Sequence, residues 1–131
     1  MAEAERAEKI TINVGIVDLG QIDLLVREGF YANRTDFIRT AIRNQLSANS
    51  EAITQTATRK TLVLGTEHCS RSALEELRAA GRTVHIRVLG LASIAEDVTP
   101  ELALATIASV EVLGAFRASP AVKAALAERT V

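Results

Sequence analysis

Residues 9–16 read Lys9-Ile10-Thr11-Ile12-Asn13-Val14-Gly15-Ile16. This alternation is typical of a β-strand with one apolar face, and the opposite face carries Lys9, Thr11 and Asn13. A single strand leaves both of its backbone edges unpaired. We therefore expect the strand to pair antiparallel with the same strand of a second chain. Three polar side chains from each chain would then project from a two-stranded ribbon that fits a DNA major groove.

Two capped helices are predicted after the strand. Asp18 with Gln21 has the spacing of a capping box, and an apolar stripe then continues to Gly29. Asn33 with Asp36 repeats this spacing ahead of a second apolar stripe. A unit of roughly 40 residues buries too little surface to be stable alone, so we expect obligate dimerisation.

The run from Asn33 to Arg39, Asn-Arg-Thr-Asp-Phe-Ile-Arg, carries a family resemblance. Together with the strand and its spacing to the helices, it resembles the ribbon-helix-helix family of DNA-binding regulators over residues 9–46. The resemblance implies that three side chains of the strand contact bases, namely Lys9, Thr11 and Asn13. Asn can bond to adenine through both amide atoms, Lys can donate to guanine, and Thr can contact a thymine methyl.

The same resemblance implies a phosphate contact at the start of the second helix. The backbone amides of Arg34 and Thr35 would bind the phosphate, with Asn33 as the helix cap and a further contact. The first turn of a helix presents unpaired N–H groups at the positive end of the helix dipole, which suits a phosphate oxygen.

Charge and composition restrict the function. The net charge of the 131 residues is −1, and residues 1–46 contain six basic against seven acidic side chains. Any DNA binding therefore depends on the local placement of charge and not on a global field. Only 3% of the residues are aromatic, which favours duplex over single-stranded DNA. A single cysteine and the absence of a long apolar run predict a cytoplasmic protein with no membrane partner.

The remaining sequence predicts a second domain. We expect a flexible arm over 1–8, the dimeric DNA-binding domain over 9–46, a helix extension that frays into a linker over 47–59, and a repeat domain over 60–131. In the repeat domain Gly65, Gly90 and Gly114 are each the last residue of a Val-Leu-Gly sequence, and they lie 25 and 24 residues apart. The repeat resembles a short leucine-rich-repeat-like β/α repeat, and it predicts parallel strands with helices on one side. Either a small solenoid or a βαβαβ layer satisfies it, and the fold class of the chain is then α+β.

Each predicted strand leads to a predicted helix start. These starts are Ser72 with Glu75, Thr99-Pro100 and Ser119-Pro120, and Gly81 is expected to end the first helix.

Parallel stacking predicts rows of equivalent residues across the strands. The outer face should carry three rows: Lys60, His85 and Ser109; Leu62, Arg87 and Glu111; and Leu64, Leu89 and Leu113. The row assigned to the helix-packed core contains Val63, Val88 and Val112. Arg87 opposite Glu111 is a favourable pair. The apolar leucine row and the open strand edges predict self-association.

Metal, cofactor and catalytic sites are not expected. His68, Cys69 and His85 are too few and too poorly spaced for a zinc or nickel site within one chain. Cys69 beside His68 does not form a nucleophile and base pair, because successive side chains point apart.

These observations lead to a sequence-specific regulator, most simply a transcriptional repressor. It is expected to bind double-stranded DNA as a homodimer through residues 9–46, to form tetramers or larger assemblies through residues 60–131, and to be nucleoid-associated when bound. One alternative is an antitoxin whose second half binds a toxin. Another is a self-assembling scaffold.

Overall fold

The computed structural model describes residues 7–131, which form two compact units, residues 7–56 and residues 57–131. Residues 1–6 of the expected flexible arm lie outside the described residues. Three helices come first: α1 (Ile16–Arg27), α2 (Arg34–Ala48) and α3 (Ser50–Arg59). Strands and helices then alternate: β1 (Val63–Cys69), α4 (Arg71–Ala79), β2 (Val84–Ile94), α5 (Pro100–Thr106), β3 (Ile107–Arg117), α6 (Pro120–Ala125) and a 3-10 turn (Ala127–Arg129). None of the helices in residues 7–131 is long and apolar enough to cross a membrane.

Helix α1 begins earlier than the sequence predicted. Its N-cap is Gly15, which offers no side chain, so the predicted capping box of Asp18 and Gln21 is wrong. Asp18 lies in the first turn, where a carboxylate favours the positive end of the helix dipole. Gln21 donates instead to the carbonyl of Val17 at 3.3 Å. Ile16 therefore belongs to the helix and not to the predicted strand.

Residues 7–15 carry no helix or strand in the single chain. A strand is defined by hydrogen bonds to a neighbouring strand, and the expected neighbour is the same segment of another chain. The ribbon strand therefore stays a prediction.

Helix α2 begins as predicted. The Asn33 side chain accepts a hydrogen bond from the Asp36 amide at 2.8 Å, and the Asp36 carboxylate accepts one from the Ala32 amide at 2.9 Å. Helix α2 ends at Ala48, and the cap residue Asn49 donates from its side chain to the carbonyl of Gln45 at 2.8 Å. The predicted fraying into a linker is wrong, because α3 follows directly.

The second unit contains a three-stranded parallel sheet in the order β1-β2-β3, as the sequence predicted. The strand register aligns Gly65 with Gly90 and Gly90 with Gly114. A Cβ atom on Gly90 would lie 2.1 Å from the Gly65 carbonyl oxygen, and one on Gly114 would lie 2.1 Å from that of Gly90. The glycines thus permit the close approach of all three strands. The resemblance to a leucine-rich repeat stays a prediction.

One face of the sheet packs against the helices. The largest fully buried side chains of this core come from both layers: Leu74, Ile86, Val88, Ile107, Val110, Val122 and Leu126. Val88 is fully buried at the centre of its row, whereas Val63 at the edge is 52% exposed. The buried Thr106 hydroxyl donates to the carbonyl of Leu102 at 2.7 Å.

The helix starts of this unit were predicted correctly in two of three cases. Thr99 and Ser119 cap α5 and α6, each with proline in the first turn. Helix α4 is capped by Ser70, whose hydroxyl accepts from the Ala73 amide at 3.2 Å. Ser72 lies inside α4, so the predicted start there is wrong. Ser70 is the residue immediately after β1, so the connection from strand to helix is shorter than predicted and the cap lies two residues before Ser72.

The outer row of Leu64, Leu89 and Leu113 is present in full, and the other two predicted rows are present on β2 and β3 only. Arg87 lies 3.8 Å from Glu111, and His85 Nδ1 lies 2.7 Å from the Ser109 hydroxyl. Lys60 and Leu62 precede β1, so their predicted places in these rows are wrong. The chain turns at Thr61 and Leu62 is buried. Arg87 instead donates to the Thr61 hydroxyl at 2.7 Å.

Part of the outer edge of β3 is covered by the last described residues. The Val131 amide donates to the Val110 carbonyl at 2.9 Å. Arg129 donates to the carbonyls of Leu104 and Ile107 at 2.7 and 2.8 Å. The bonds to Ile107 and Val110 pair backbone groups at the start of an otherwise open strand edge, and the bond to Leu104 ties the same segment to α5.

Candidate nucleic-acid interface

The predicted base-contacting residues lie on the segment that precedes α1. Lys9, Thr11 and Asn13 are exposed. The intervening apolar residues are exposed as well, with Ile10 at 76% and Ile12 at 65%. In one chain, therefore, most of the apolar side of the predicted strand is uncovered, as expected of a segment that pairs with a partner, and only Val14 is more than half covered.

The predicted phosphate-contacting residues form the exposed first turn of α2. The side chain of Asn33 satisfies the third amide of the helix, that of Asp36. Within residues 7–131 the amides of Arg34 and Thr35 carry no hydrogen bond. Two adjacent donors at a helix start are chemically suited to an anion.

The Arg34 side chain has a role that the sequence analysis missed. Its guanidinium donates two hydrogen bonds to the Asp23 carboxylate of α1, at 2.8 and 2.9 Å. The bond from Arg34 holds the pKa of Asp23 below its ordinary value, and the carboxylate in turn raises the pKa of Arg34. This two-point contact fixes the start of α2 against α1. Because the guanidinium of Arg34 is bonded to Asp23, the free group that Arg34 offers to a phosphate is its backbone amide.

Packing between α1 and α2 leaves an open apolar groove. The rings of Tyr31 and Phe37 meet edge to face with their centroids 5.0 Å apart. A cleft of about 330 Å³ lies between the helices and is lined by Asp18, Gln21, Ile22, Leu25 and Phe37. The helix pair is therefore only partly packed in a single chain.

The two sets of predicted contacts are not linked to each other. No hydrogen bond or ion pair within residues 7–131 joins Lys9, Thr11 or Asn13 to the first turn of α2.

His68 and His85 each contact a serine, and Cys69 is partly buried. His68 Nδ1 lies 2.7 Å from the Ser93 hydroxyl, and His85 makes the same contact with Ser109. Burial, and then the charge of Glu67, raise the pKa of the Cys69 thiol, which favours its unreactive protonated form. In the described part of the chain, no group of three or more His, Cys, Asp or Glu side chains is placed to hold a metal ion.

Two helices that follow an exposed alternating segment, with free amides at the start of the second helix, are the arrangement expected of the ribbon-helix-helix class. The sequence model of a ribbon-helix-helix transcriptional regulator family matches residues 5–123, and the chain belongs to that family. It is thus a DNA-binding transcriptional regulator by family. Comparisons with curated proteins and with solved structures gave no match.

The family match extends well beyond the stretch on which the sequence resemblance rested. That resemblance covered residues 9–46, whereas the match continues to residue 123 and includes all three strands. The β/α unit is therefore a part of the family pattern and not an unrelated addition to it.

Proposed function

We propose that the protein is a homodimeric, sequence-specific repressor that inserts a two-stranded ribbon into the DNA major groove. The observation that carries this proposal is the exposed alternating segment 9–15, which directly precedes a helix pair of a ribbon-helix-helix family member. On this proposal it acts in the cytoplasm and is nucleoid-associated when bound to DNA.

Exposed apolar side chains of the first unit support the dimer through residues 9–46. They lie on the arm and on α2: Ile10, Ile12, Val14, Ile38, Ile42 and Leu46, exposed by 36–76%. A fully buried side chain of this kind contributes about 1.5–3 kcal/mol. Pairing of segment 9–15 from two chains would satisfy one backbone edge of each strand, and packing of the paired strands onto the helices would cover the first three of these residues.

The proposed DNA contacts are of two kinds. Lys9, Thr11 and Asn13 contact base edges from the ribbon, where Asn13 and Lys9 supply donors that purine bases accept. The free amides of Arg34 and Thr35 bind a backbone phosphate, with Asn33 beside them. Phosphate contacts set the position of the ribbon on the duplex, and base contacts select the sequence.

A band-shift experiment on the promoter region of its own gene tests the base contacts. Asn13→Ala is expected to weaken binding by about 1–3 kcal/mol, with the loss confined to particular base positions. Asn44→Ala is the matched control, since Asn44 is an exposed asparagine on α2 outside the proposed surface. If Asn13→Ala leaves both affinity and sequence preference unchanged, Asn13 does not read bases.

We also propose that residues 60–131 join dimers through the sheet face opposite the helices. Leu64 and Leu113 on this face are 71% and 54% exposed. Sedimentation should show assemblies larger than a dimer that Leu113→Gln reduces to dimers. The control is Leu104→Gln, a residue of α5 that is 40% exposed and lies away from this face. Dimers in both wild type and variants would contradict this assembly.

The packed core of the second unit favours a regulator over the antitoxin alternative. Inhibitory tails of antitoxins are often unfolded until the toxin binds. Twelve buried residues of 57–131 instead form one apolar cluster. A scaffold role would predict assemblies whose size does not respond to operator DNA, which the same sedimentation experiment measures.

A further inference from the structure

Three residues at the carboxyl ends of the parallel strands form one row. His68, Ser93 and Arg117 are direct partners in the strand register of β1, β2 and β3. Because backbone pairing fixes their spacing, the row is positioned by the sheet and not by mobile loops. The hydrogen bond of 2.7 Å between His68 and Ser93 holds its first two members together.

A cleft of about 360 Å³ opens beside this row. Its remaining lining residues come from the last residue of β2 and from the segments that follow β2 and β3, and they are Ile94, Ala95, Glu96, Ala118 and Lys123. The volume falls within the range of small-molecule sites. In open α/β sheets, ligands bind beyond the carboxyl ends of the strands, where this cleft lies.

The lining residues favour an anion with an apolar body. Arg117 and Lys123 supply two positive charges against the single carboxylate of Glu96, and Ser93 and His68 add polar groups that can donate hydrogen bonds. Arginine donates to an oxyanion through two parallel bonds, and lysine contributes a point charge. Ile94, Ala95 and Ala118 provide apolar wall on the same cleft.

The other end of the sheet provides an internal comparison. His85 and Ser109 repeat the histidine and serine contact at the same distance of 2.7 Å. Neither residue lines the cleft. The His68 and Ser93 pair lines a cleft together with Arg117 and Lys123, and the His85 and Ser109 pair does not.

From this arrangement we infer a second binding site: the cleft of His68, Ser93, Arg117 and Lys123 takes the phosphate group of a small organic phosphate. The site lies wholly in residues 57–131. It is independent of the proposed DNA contacts, so a regulator that fails the Asn13→Ala test can still have it.

Titration of the full-length protein with inorganic phosphate tests the site. Amide resonances are followed by nuclear magnetic resonance while chloride keeps the ionic strength constant. Saturable shifts are expected at Ser93, Ala95 and Ala118. Phenyl phosphate should bind more tightly than inorganic phosphate, because its ring reaches the apolar wall.

Variants separate a built site from diffuse attraction of anions. Lys123→Ala removes an exposed cation and should weaken phosphate binding about tenfold, and His68→Ala should weaken it less. His85→Ala, the matched control, should leave the affinity unchanged. Shifts that do not saturate, an unaltered affinity in Lys123→Ala, or equal effects of His68→Ala and His85→Ala would each overturn the proposal.

Discussion

The two units of the chain differ in how much of their apolar surface they bury. In residues 57–131, side chains such as Val88, Val110 and Leu126 are fully buried. In residues 7–56 only Ile22 is buried, at 8% exposure, and Ile16 and Val17 are 88% and 76% exposed. Stability of a fold depends mainly on apolar burial, so the second unit can be stable in one chain, and the low burial of the first unit agrees with the proposed dimer. The unit proposed to bind DNA, residues 7–56, is therefore also the unit whose apolar side chains remain exposed in a single chain.

The largest expected effect is on the close strand contacts of the second unit. Gly90→Ala would place a methyl group against the Gly65 carbonyl in a backbone conformation, φ 141°, that other residues rarely adopt. We expect a loss of at least about 3 kcal/mol in the free energy of unfolding. Hydrogen exchange should show lost protection throughout β1, β2 and β3, with residues 16–48 affected less.

The matched substitution in the first unit should have the opposite sign. Gly20 lies within α1, and a Cβ atom there meets nothing within 4 Å. Gly20→Ala should therefore stabilise α1 by about 0.5–1 kcal/mol. Equal destabilisation by both substitutions would contradict the role assigned to the glycine row.

A smaller effect is expected at the covered edge of β3. Arg129→Met removes the donor to the carbonyls of Leu104 and Ile107, and it should cost about 1–2 kcal/mol in a denaturant titration. Exchange of the Val131 amide, which bonds to Val110, should become faster. Arg82→Met, an exposed arginine beyond α4, is the control and should change stability by less than about 0.5 kcal/mol. If Arg129→Met changes stability as little as Arg82→Met, the bonds made by Arg129 do not stabilise this edge of β3.

Sequence patterns predicted local structure best where a cap or a repeat fixes it. The cap at Asn33 and the proline-marked starts at Thr99 and Ser119 follow from short-range chemistry, and all three were predicted correctly. The cap at Ser70 was missed because Ser72 with Glu75 offered an equally good pattern two residues later. Competing local patterns of this kind are decided by the length of the preceding strand, which the sequence does not state.

Contacts between elements were harder to predict than the elements. The regular spacing of the repeat predicted Arg87 opposite Glu111, since register follows from the glycines. The same spacings of 25 and 24 residues align His68, Ser93 and Arg117, a row that the sequence analysis did not identify. The bond between Asp23 and Arg34 has no such repeat to reveal it. It depends on how α1 and α2 turn against each other.

The smallest expected effect concerns that bond, and it depends on pH. Because the folded pKa of Asp23 is lowered, chiefly by its hydrogen bond to Arg34, the pair stabilises the first unit above about pH 4. The contribution is lost as the pH falls through the lowered folded value. Asp23→Asn should therefore speed hydrogen exchange in α1 and α2 at neutral pH and have no effect in acid. Both partners are exposed, so added salt should shrink the difference between wild type and Asp23→Asn. A difference that persists in acid would mean that the two side chains act through packing and not through charge.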